Sequence, residues 1–321
     1  MKKILSVIAC ILTAAIALCS CNVPIIPQGG LKIVCTAFPQ YDFIKNIIGD
    51  DKNIILLNKN GADLHGFEPT AKDIVEIRTA SLFVYIGGAS DVWVERAVNS
   101  TENPDLKSVA IMDYVETLSL EDVETMEYGE HNHHDHADHD HSHSPEDADE
   151  HIWLSIRNAI RITNGLCEEI CALDPENAEK YRSNTAAYVA KLEALDKEYE
   201  AAFANSKRDV LLFADRFPFA YLTHDYGVSH LAAFTGCSSE SEITAETFAH
   251  LIEHTKELSL PCVLKLEGSD GKTAQTVCSA TGAKALTVDS CQTVSAQDIQ
   301  NGSNYLDIMT KNLEIFKEAL N

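Results

Sequence analysis

The sequence predicts an α/β protein with two Rossmann-like lobes, each a parallel sheet flanked by helices, joined by one long, rigid backbone helix. Short apolar runs alternate with helical patterns, which is the arrangement of parallel βαβ units. The alternation occurs in both halves of the chain, on either side of a stretch that almost lacks helix breakers. The length of 321 residues also provides room for two domains of roughly 150 residues each.

The first half begins with the apolar run LKIVCT, which predicts a buried strand. Thr70 is placed to cap a helix in which Ile74 and Ile77 share one face. A continuous apolar run then ends at Gly87 and Gly88, as a strand entering a loop would. The predicted strands are 31–36, 54–57 and 82–86, and the predicted helices are 41–48 and 70–79.

The second half repeats the same alternation after residue 208. Its apolar runs are again too short for helices and are separated by helical patterns, so they predict parallel strands. The predicted strands are 209–214, 230–234, 262–266 and 285–288, and the predicted helices are 217–226, 244–257, 273–281 and 305–320.

The stretch between the halves predicts the linking helix. Tyr181, Tyr188, Leu192 and Leu195 form an apolar stripe at helical spacing. About 30 residues at 1.5 Å each give a rod of about 45 Å. We therefore expect an N-terminal lobe at 31–174, a linking helix at 175–205 and a C-terminal lobe at 206–321.

The N-terminus predicts an exported protein. Two lysines precede an apolar run of about 15 residues, which is short for a bilayer span of ~20 residues but typical of a secretory signal peptide. The following Leu-Cys-Ser-Cys resembles the bacterial lipobox, which implies a lipoprotein signal peptide at 1–20, a diacylated Cys21 and a tether at 21–30. An ordinary signal peptide or an uncleaved anchor is the alternative.

Composition excludes several classes of protein. The chain has 25 Lys and Arg against 49 Asp and Glu, a formal charge of −24, which argues against a nucleic-acid partner. Apolar residues make up 45% and charged residues 23%, as in ordinary globular proteins. Disorder throughout, a collagen-like repeat and a multi-span membrane protein are therefore excluded.

An acidic segment interrupts the first half at 113–150, with fourteen Asp and Glu and no Lys or Arg. Such a segment cannot bury apolar surface, and we expect a mobile, solvated loop. Its histidines and interleaved aspartates would make a weak, multi-site metal chelator, and a plain solvated linker is the alternative. The seven histidines are His131, His133, His134, His136, His139, His141 and His143.

Three side chains are candidates for a metal site. His65 in NGADLHGFEPT, His151 in DADEHIWL and Asp289 in LTVDSC all follow strands or lie in nearby loops. In open α/β sheets these positions hold ligands. Two imidazoles and a carboxylate suit zinc, and also manganese or iron.

Two further histidines have helical spacing. His250 and His254 lie four residues apart in the predicted helix 244–257 and could bind a metal on its surface. Because they lie far from the other candidates in the sequence, we expect them to be part of an exposed polar face.

Several segments carry a resemblance to a known family. They are FPQYDFIKNI, NGADLHGFEPT, DEHIWLSIRNA, YLTHDYGV and the C-terminal LTVDSCQTVSAQD with GSNYLDIMTKNLEIFKEAL. With the long linker helix, they make the chain resemble the zinc/manganese class of solute-binding proteins of ABC metal importers, the zinc-uptake periplasmic-type binding proteins. In that family the metal lies in a cleft between two lobes. The resemblance implies that His65 and His151 are ligands from the N-terminal lobe and Asp289 from the C-terminal lobe.

The chain departs from the family's pattern at one ligand. The resemblance implies a His or Glu just before Phe217, but Arg216 occupies that position, and arginine has no lone pair to offer. Asp215 could turn inward, Glu240 or Glu242 could supply an oxygen that Arg216 orients, or water could complete the site. We favour Glu242 as the fourth ligand.

The resemblance also implies a function and partners. We expect a monomeric extracytoplasmic receptor, lipid-anchored to the bacterial cell membrane, that passes a divalent transition metal to an ABC permease and its cytoplasmic ATPase. Zn²⁺ is the expected cargo, with Mn²⁺ or iron as alternatives, and we expect no enzyme activity. A metallohydrolase, which needs an open metal position and a general base, and a surface zinc buffer or adhesin are the alternative functions.

Overall fold

Two parallel sheets form the centre of the molecule. The computed structural model describes residues 30–119, 123, 148–234 and 243–321. The strands are β1 (Ile33–Cys35), β2 (Ile54–Leu56), β3 (Leu82–Tyr85), β4 (Lys107–Ala110), β5 (Val210–Arg216), β6 (Ser229–Phe234), β7 (Cys262–Leu266) and β8 (Lys284–Val288). Their orders are β2-β1-β3-β4 and β6-β5-β7-β8, and all paired strands are parallel. The predicted α/β fold is confirmed.

Helices connect the strands and cover the sheets. In the first half of the described chain they are α1 (Phe38–Ile48), α2 (Ala71–Arg78), α3 (Val94–Ser100), α4 (Ile156–Leu173) and the long α5 (Ala178–Ala204). In the second half they are α6 (Ala220–Tyr226), α7 (Ala245–Glu257), α8 (Lys272–Thr281), α9 (Ala296–Gln300) and α10 (Tyr305–Leu320).

The second sheet illustrates why these strands form. Val210 and Leu212 of β5 pack with α7 and α8, whereas Leu211 and Phe213 belong to the core that includes α10. Successive side chains of a strand point to opposite faces, so a continuous apolar run is stable only when both faces are covered. Helices on both faces provide that cover.

The long helix confirms the predicted linker but begins later than 175. Pro175–Asn177 forms a 3₁₀ turn, and α5 then spans 27 residues, about 40 Å at 1.5 Å per residue. The predicted stripe is buried along it, and α5 packs on α4, α1 and α10. Residues of both sheets, among them Ile33 and Phe213, belong to one continuous apolar core. The helix is therefore packed into the protein along its length.

Several boundaries differ from the sequence prediction for local reasons. Helix α1 begins three residues before the predicted position 41, because Pro39 suits its first turn and the Gln40 side chain accepts the backbone N–H groups of Thr36 and Ala37. Helices α3, α4 and α9 and strand β4 were not among the predicted elements. Strand β4 lies at a sheet edge with its first two residues exposed, so it lacks a continuous apolar run.

The predicted solvated loop at 113–150 includes residues at both ends that pack into the folded protein. Ser119 pairs with Ala148 in an antiparallel bridge, and Asp149 and Glu150 are only 3% and 4% exposed. These two acids are buried because backbone and side-chain donors satisfy their carboxylates. The seven histidines of 131–143 lie outside the described residues, as do Cys21, Glu240 and Glu242.

Among the residues that the structure describes, no helix combines the length and the apolar character needed to cross a membrane.

Candidate metal centre

His65 lies in a short 3₁₀ turn, Leu64–Gly66, in the loop that follows β2. Asp63 caps this turn by accepting the backbone N–H of His65 at 3.1 Å. Upstream, Gly61 has a φ of +62°, and a Cβ at this position would lie 2.1 Å from the carbonyl oxygen of Thr293. Only glycine permits this approach, so the loop that carries His65 rests directly on the backbone of the second lobe.

Ser90 and Glu150 orient the imidazole of His65. Its Nδ1 lies 2.8 Å from Oε1 of Glu150 and 3.1 Å from the hydroxyl of Ser90. The backbone N–H and the hydroxyl of Ser90 donate to Glu150 at 3.0 and 2.5 Å. Because Nδ1 faces this carboxylate, a metal ion would be bound through Nε2.

Glu150 is ionised although it is buried. Burial opposes the charge, but the hydrogen bond from His65, the nearby His151 and the donors of Ser90 together lower the pKa of Glu150 to about 2. A buried carboxylate beside two imidazoles places negative charge where a cation would be stabilised.

His151 lies directly before another 3₁₀ turn, Ile152–Leu154, and is 2% exposed. Its backbone N–H donates to Oδ1 of Asp149 at 2.8 Å, and its Nδ1 lies 3.1 Å from the same oxygen. The ring centroids of His151 and His65 are 5.5 Å apart. Both imidazoles therefore have a carboxylate at Nδ1, and the two rings are neighbours.

The second lobe contributes two acids at the ends of adjacent strands. Asp289 follows β8, and burial raises its pKa although the backbone N–H of Cys291 donates to it at 2.8 Å. Glu267 follows β7 and accepts the N–H and hydroxyl of Ser290. Burial and the charge of Asp289 raise the pKa of Glu267 to about 7. Both acids line a cavity of about 450 Å³.

The segment that carries His151 is attached to the second lobe. The indole N–H of Trp153 donates to the carbonyl of Ser290 at 2.9 Å, and the hydroxyl of Tyr305 donates to the carbonyl of Trp153 at 2.5 Å. Tyr221 donates to the carbonyl of Asp149 at 2.6 Å. Asp289 thus lies one residue from a direct contact with the histidine segment.

The structure brings His65 and His151 together and does not add Asp289 to them. Within the described ranges, no three side chains of His, Cys, Asp or Glu converge as a metal site requires. The histidine pair and the acids of the second lobe are therefore two separate parts of the candidate site.

Asp215 and Arg216 lie at the end of β5. The two oxygens of Asp215 accept the backbone N–H groups of Arg216 and Leu266, an arrangement that competes with metal binding. Arg216 reaches the first lobe, where its Nη1 lies 2.6 Å from Oδ2 of Asp63. Burial of Asp63 acts in the opposite direction, but this ion pair and the His65 N–H lower the pKa of Asp63.

Three residues of the site were missed by sequence reasoning. Glu150 directly precedes His151 in the sequence. Glu267 follows a predicted strand, as Asp289 does. Ligands bind at the carboxyl ends of strands in open α/β sheets, so the reasoning that made Asp289 a candidate applies equally to Glu267. Ser90 follows Gly87-Gly88 at the end of β3 and carries no comparable signal, because its role depends on Glu150, 60 residues away.

Two parallel α/β lobes packed along one continuous helix, with paired imidazoles where the lobes meet, define a two-lobed solute-binding protein. The chain belongs to the family described as "Zinc-uptake complex component A periplasmic", whose profile matches residues 33–319.

Curated relatives and a solved structure agree with this assignment. The high-affinity zinc uptake system protein ZnuA of Bacillus subtilis is 32% identical over 292 residues, which are 90% of this chain and 88% of that protein. Zinc-binding protein AdcA of Streptococcus pyogenes is 28% identical over 91% of this chain, which spans only 56% of that relative. The Zn(II)-bound ZnuA-like domain of Streptococcus pneumoniae AdcA superposes with a TM-score of 0.72 at 28% identity, covering 91% of this chain and 99% of that domain.

Proposed function

We propose that this chain is the extracytoplasmic receptor of an ABC importer and that its cargo is Zn²⁺. In this proposal it captures the ion between its two lobes and passes it to a membrane permease driven by a cytoplasmic ATPase. Membership of the zinc-uptake family and relatives named as zinc-binding or zinc-uptake proteins support it. The chain makes and breaks no covalent bond in this function.

One observation carries the proposal. His65 and His151 are neighbours with ring centroids 5.5 Å apart, and each has a carboxylate within 3.1 Å of Nδ1. Histidines that bind metal ions usually donate their second ring N–H to a carboxylate, which fixes the ring and makes the ligating nitrogen more basic. We infer that Nε2 of both rings binds the ion.

Asp289 supplies the ligand from the second lobe in this proposal. It is partly buried near Glu267, and burial raises the pKa values of both carboxyl groups. A dication would stabilise their ionised forms. Because Asp289 lies beside the Ser290 contact to Trp153, a small shift of this loop toward His151 couples occupancy to lobe closure. Glu242 as the fourth ligand remains a proposal.

Arg216 replaces a ligand with a contact between the lobes. Its guanidinium cannot bind a cation, but it pairs with Asp63, whose other carboxylate oxygen accepts the backbone N–H of His65. We infer that this ion pair holds the His65 loop against the second lobe whether or not metal is bound.

The proposed location and accessory loop follow from the sequence. A diacylated Cys21 would keep the receptor, as a monomer, beside its permease at the outer surface of the membrane, and one relative is named a zinc-binding lipoprotein. The histidines of 131–143 would raise the local metal concentration through several weak contacts.

Zinc affinity of His65→Ala and His151→Ala variants tests the function. The unmodified chain should bind one Zn²⁺ tightly in competition with a chromophoric chelator, and each variant should bind at least about 100-fold more weakly because one of few ligands is lost. His224→Ala, which removes an exposed histidine of α6, is the matched control. Near-normal affinity in both site variants would refute the assignment, and tighter binding of Mn²⁺ would reassign the cargo.

A further inference from the structure

His250 and His254 form a second pair of imidazoles, on the outer side of the second lobe. They lie one turn apart on α7, whose Leu251 and Thr255 are buried. His250 is exposed, and the side chain of His254 is 19% exposed. Side chains at positions i and i+4 share one helix face, which is the spacing that helical metal sites use for two histidine ligands.

The structure places the two possible ligating atoms side by side. Nε2 of His250 and Nε2 of His254 are 2.9 Å apart, and the rings are nearly perpendicular, at 83°. In this contact one Nε2–H donates to the lone pair of the other Nε2. Both rings therefore already have rotamers that bring their Nε2 atoms together on one face of α7.

The two rings would set the angle at a bound ion if they kept this separation after the shared Nε2 proton had left. Two nitrogens that each lie ~2.05 Å from an ion and 2.9 Å from each other subtend an angle of about 90° at the ion. Tetrahedral coordination at the same bond length would require a separation of about 3.4 Å. An angle near 90° is that of neighbouring ligands in square-planar, tetragonal and octahedral complexes, and nitrogen ligands in tetragonal geometry are typical of Cu²⁺ and Ni²⁺.

Glu257 supports this arrangement from the next turn. Its Oε2 lies 3.5 Å from Nδ1 of His254, and the negative charge of this carboxylate favours a proton on Nδ1, which leaves the lone pair on Nε2. Ion binding then requires one proton rearrangement: His250 loses its Nε2 proton to solvent and gains one at Nδ1. No net charge changes on the protein.

We propose that His250 and His254 form a two-histidine chelate for a divalent transition metal ion of tetragonal preference, Cu²⁺ or Ni²⁺. In the described part of the chain no third His, Cys, Asp or Glu side chain joins the pair, so water occupies the other coordination positions. The site is separate from the candidate cleft, and the proposal does not depend on the function proposed for that cleft.

Titration of the full chain with Cu²⁺ tests the site. The parent protein carries Asn in place of the seven histidines of 131–143 and is first saturated with Zn²⁺. We expect one Cu²⁺ with an electron paramagnetic resonance spectrum that shows nitrogen ligands. His250→Ala and His254→Ala should each weaken its binding at least tenfold, and both should fold because alanine has the highest helix propensity of all residues.

His224→Ala is the matched control, because it also removes an exposed histidine from a helix, and it should leave Cu²⁺ binding unchanged. Equal Cu²⁺ affinity in the parent and in the double variant His250→Ala/His254→Ala would overturn the proposal. So would an equal loss in the His224 variant, because binding would then reflect dispersed surface histidines.

Discussion

At the scale of single residues, Glu150 connects the two imidazoles of the candidate site. It accepts two hydrogen bonds from Ser90 and faces Nδ1 of His65, and the nearby His151 helps to lower its pKa. A residue in this position controls ring orientation without itself binding the ion.

Glu150→Gln should therefore weaken zinc binding about 10- to 100-fold, the usual effect of removing the carboxylate behind a histidine ligand. The amide has one acceptor oxygen where the carboxylate has two, so either Ser90 or His65 loses its partner. Zinc affinity measured by chelator competition checks this expectation. Glu198→Gln, an exposed substitution on α5, should have no effect, and an unchanged affinity in the Glu150 variant would contradict the orienting role.

Asp42 of α1 makes stability depend on pH. Burial raises its pKa to about 6, although the backbone N–H of Tyr305 and the hydroxyl of Tyr188 donate hydrogen bonds to it. Because its folded pKa lies above the unfolded value, the ionised form costs stability as pH rises from about 4 to about 6.

The stability of Asp42→Asn relative to the unmodified chain should therefore increase by about 2 kcal/mol between pH 4 and pH 7. Urea unfolding of both proteins at the two pH values measures this difference. A difference in unfolding free energy that does not change with pH would show that Asp42 is not the titrating group.

At the scale of secondary-structure elements, α5 connects the two sheets through one shared core. Leu192 is fully buried at the middle of this helix, and the core around it contains residues of β1 and β5. A cavity at this point affects the packing of both lobes together.

Leu192→Ala should lower the free energy of unfolding by ~2–5 kcal/mol, the cost of a large-to-small change in a packed core. Both lobes should still unfold in one transition. Urea denaturation followed by far-ultraviolet circular dichroism gives the value, and Glu193→Ala, at the exposed neighbouring position, should change it by less than about 0.5 kcal/mol. Two separate transitions in the unmodified protein would show that the lobes are independent.

At the scale of the whole molecule, Arg216 and Asp63 join the lobes across the site. Their ion pair places a positive charge beside the loop that carries His65. Because like charges repel, the guanidinium should destabilise a dication bound near His65 and so reduce the zinc affinity of the site.

Arg216→Gln should raise zinc affinity because it removes the charge, and Arg216→His should raise it at least tenfold further because it also adds a ligating lone pair. The comparison of the two variants separates the effect of the lost charge on zinc affinity from the effect of an added ligand. Equal zinc affinities of the Gln and His variants would show that a side chain at position 216 does not reach the ion.

The histidine-rich segment gives a second prediction for the whole chain. Replacing the seven histidines of 131–143 with Asn should lower the total Zn²⁺ bound at saturation, because several weak contacts are removed. The tightest site should remain. Equilibrium dialysis with elemental analysis measures both quantities, and loss of the tight site would contradict the accessory role of the segment.

Periodicity was sufficient for most of the fold. Strands β5 to β7 and the helices α5, α7 and α10 follow from continuous apolar runs and helical stripes, because these strands are mostly buried between helices and each long helix buries one face. The apolar pattern did not predict strand β4, because half of the residues of this edge strand are exposed and the strand therefore needs no apolar run.

The sequence by itself determined the α/β class and the linking helix, because these depend on local spacing, and it singled out His65 and His151 as candidate ligands. Only the tertiary structure decided their partners. Arg216 meets Asp63 across 153 residues and Glu150 meets Ser90 across 60, and such pairs depend on how the lobes pack. For the same reason His250 and His254 had the spacing of a chelate in the sequence, whereas the 2.9 Å between their nitrogens is a property of the folded helix.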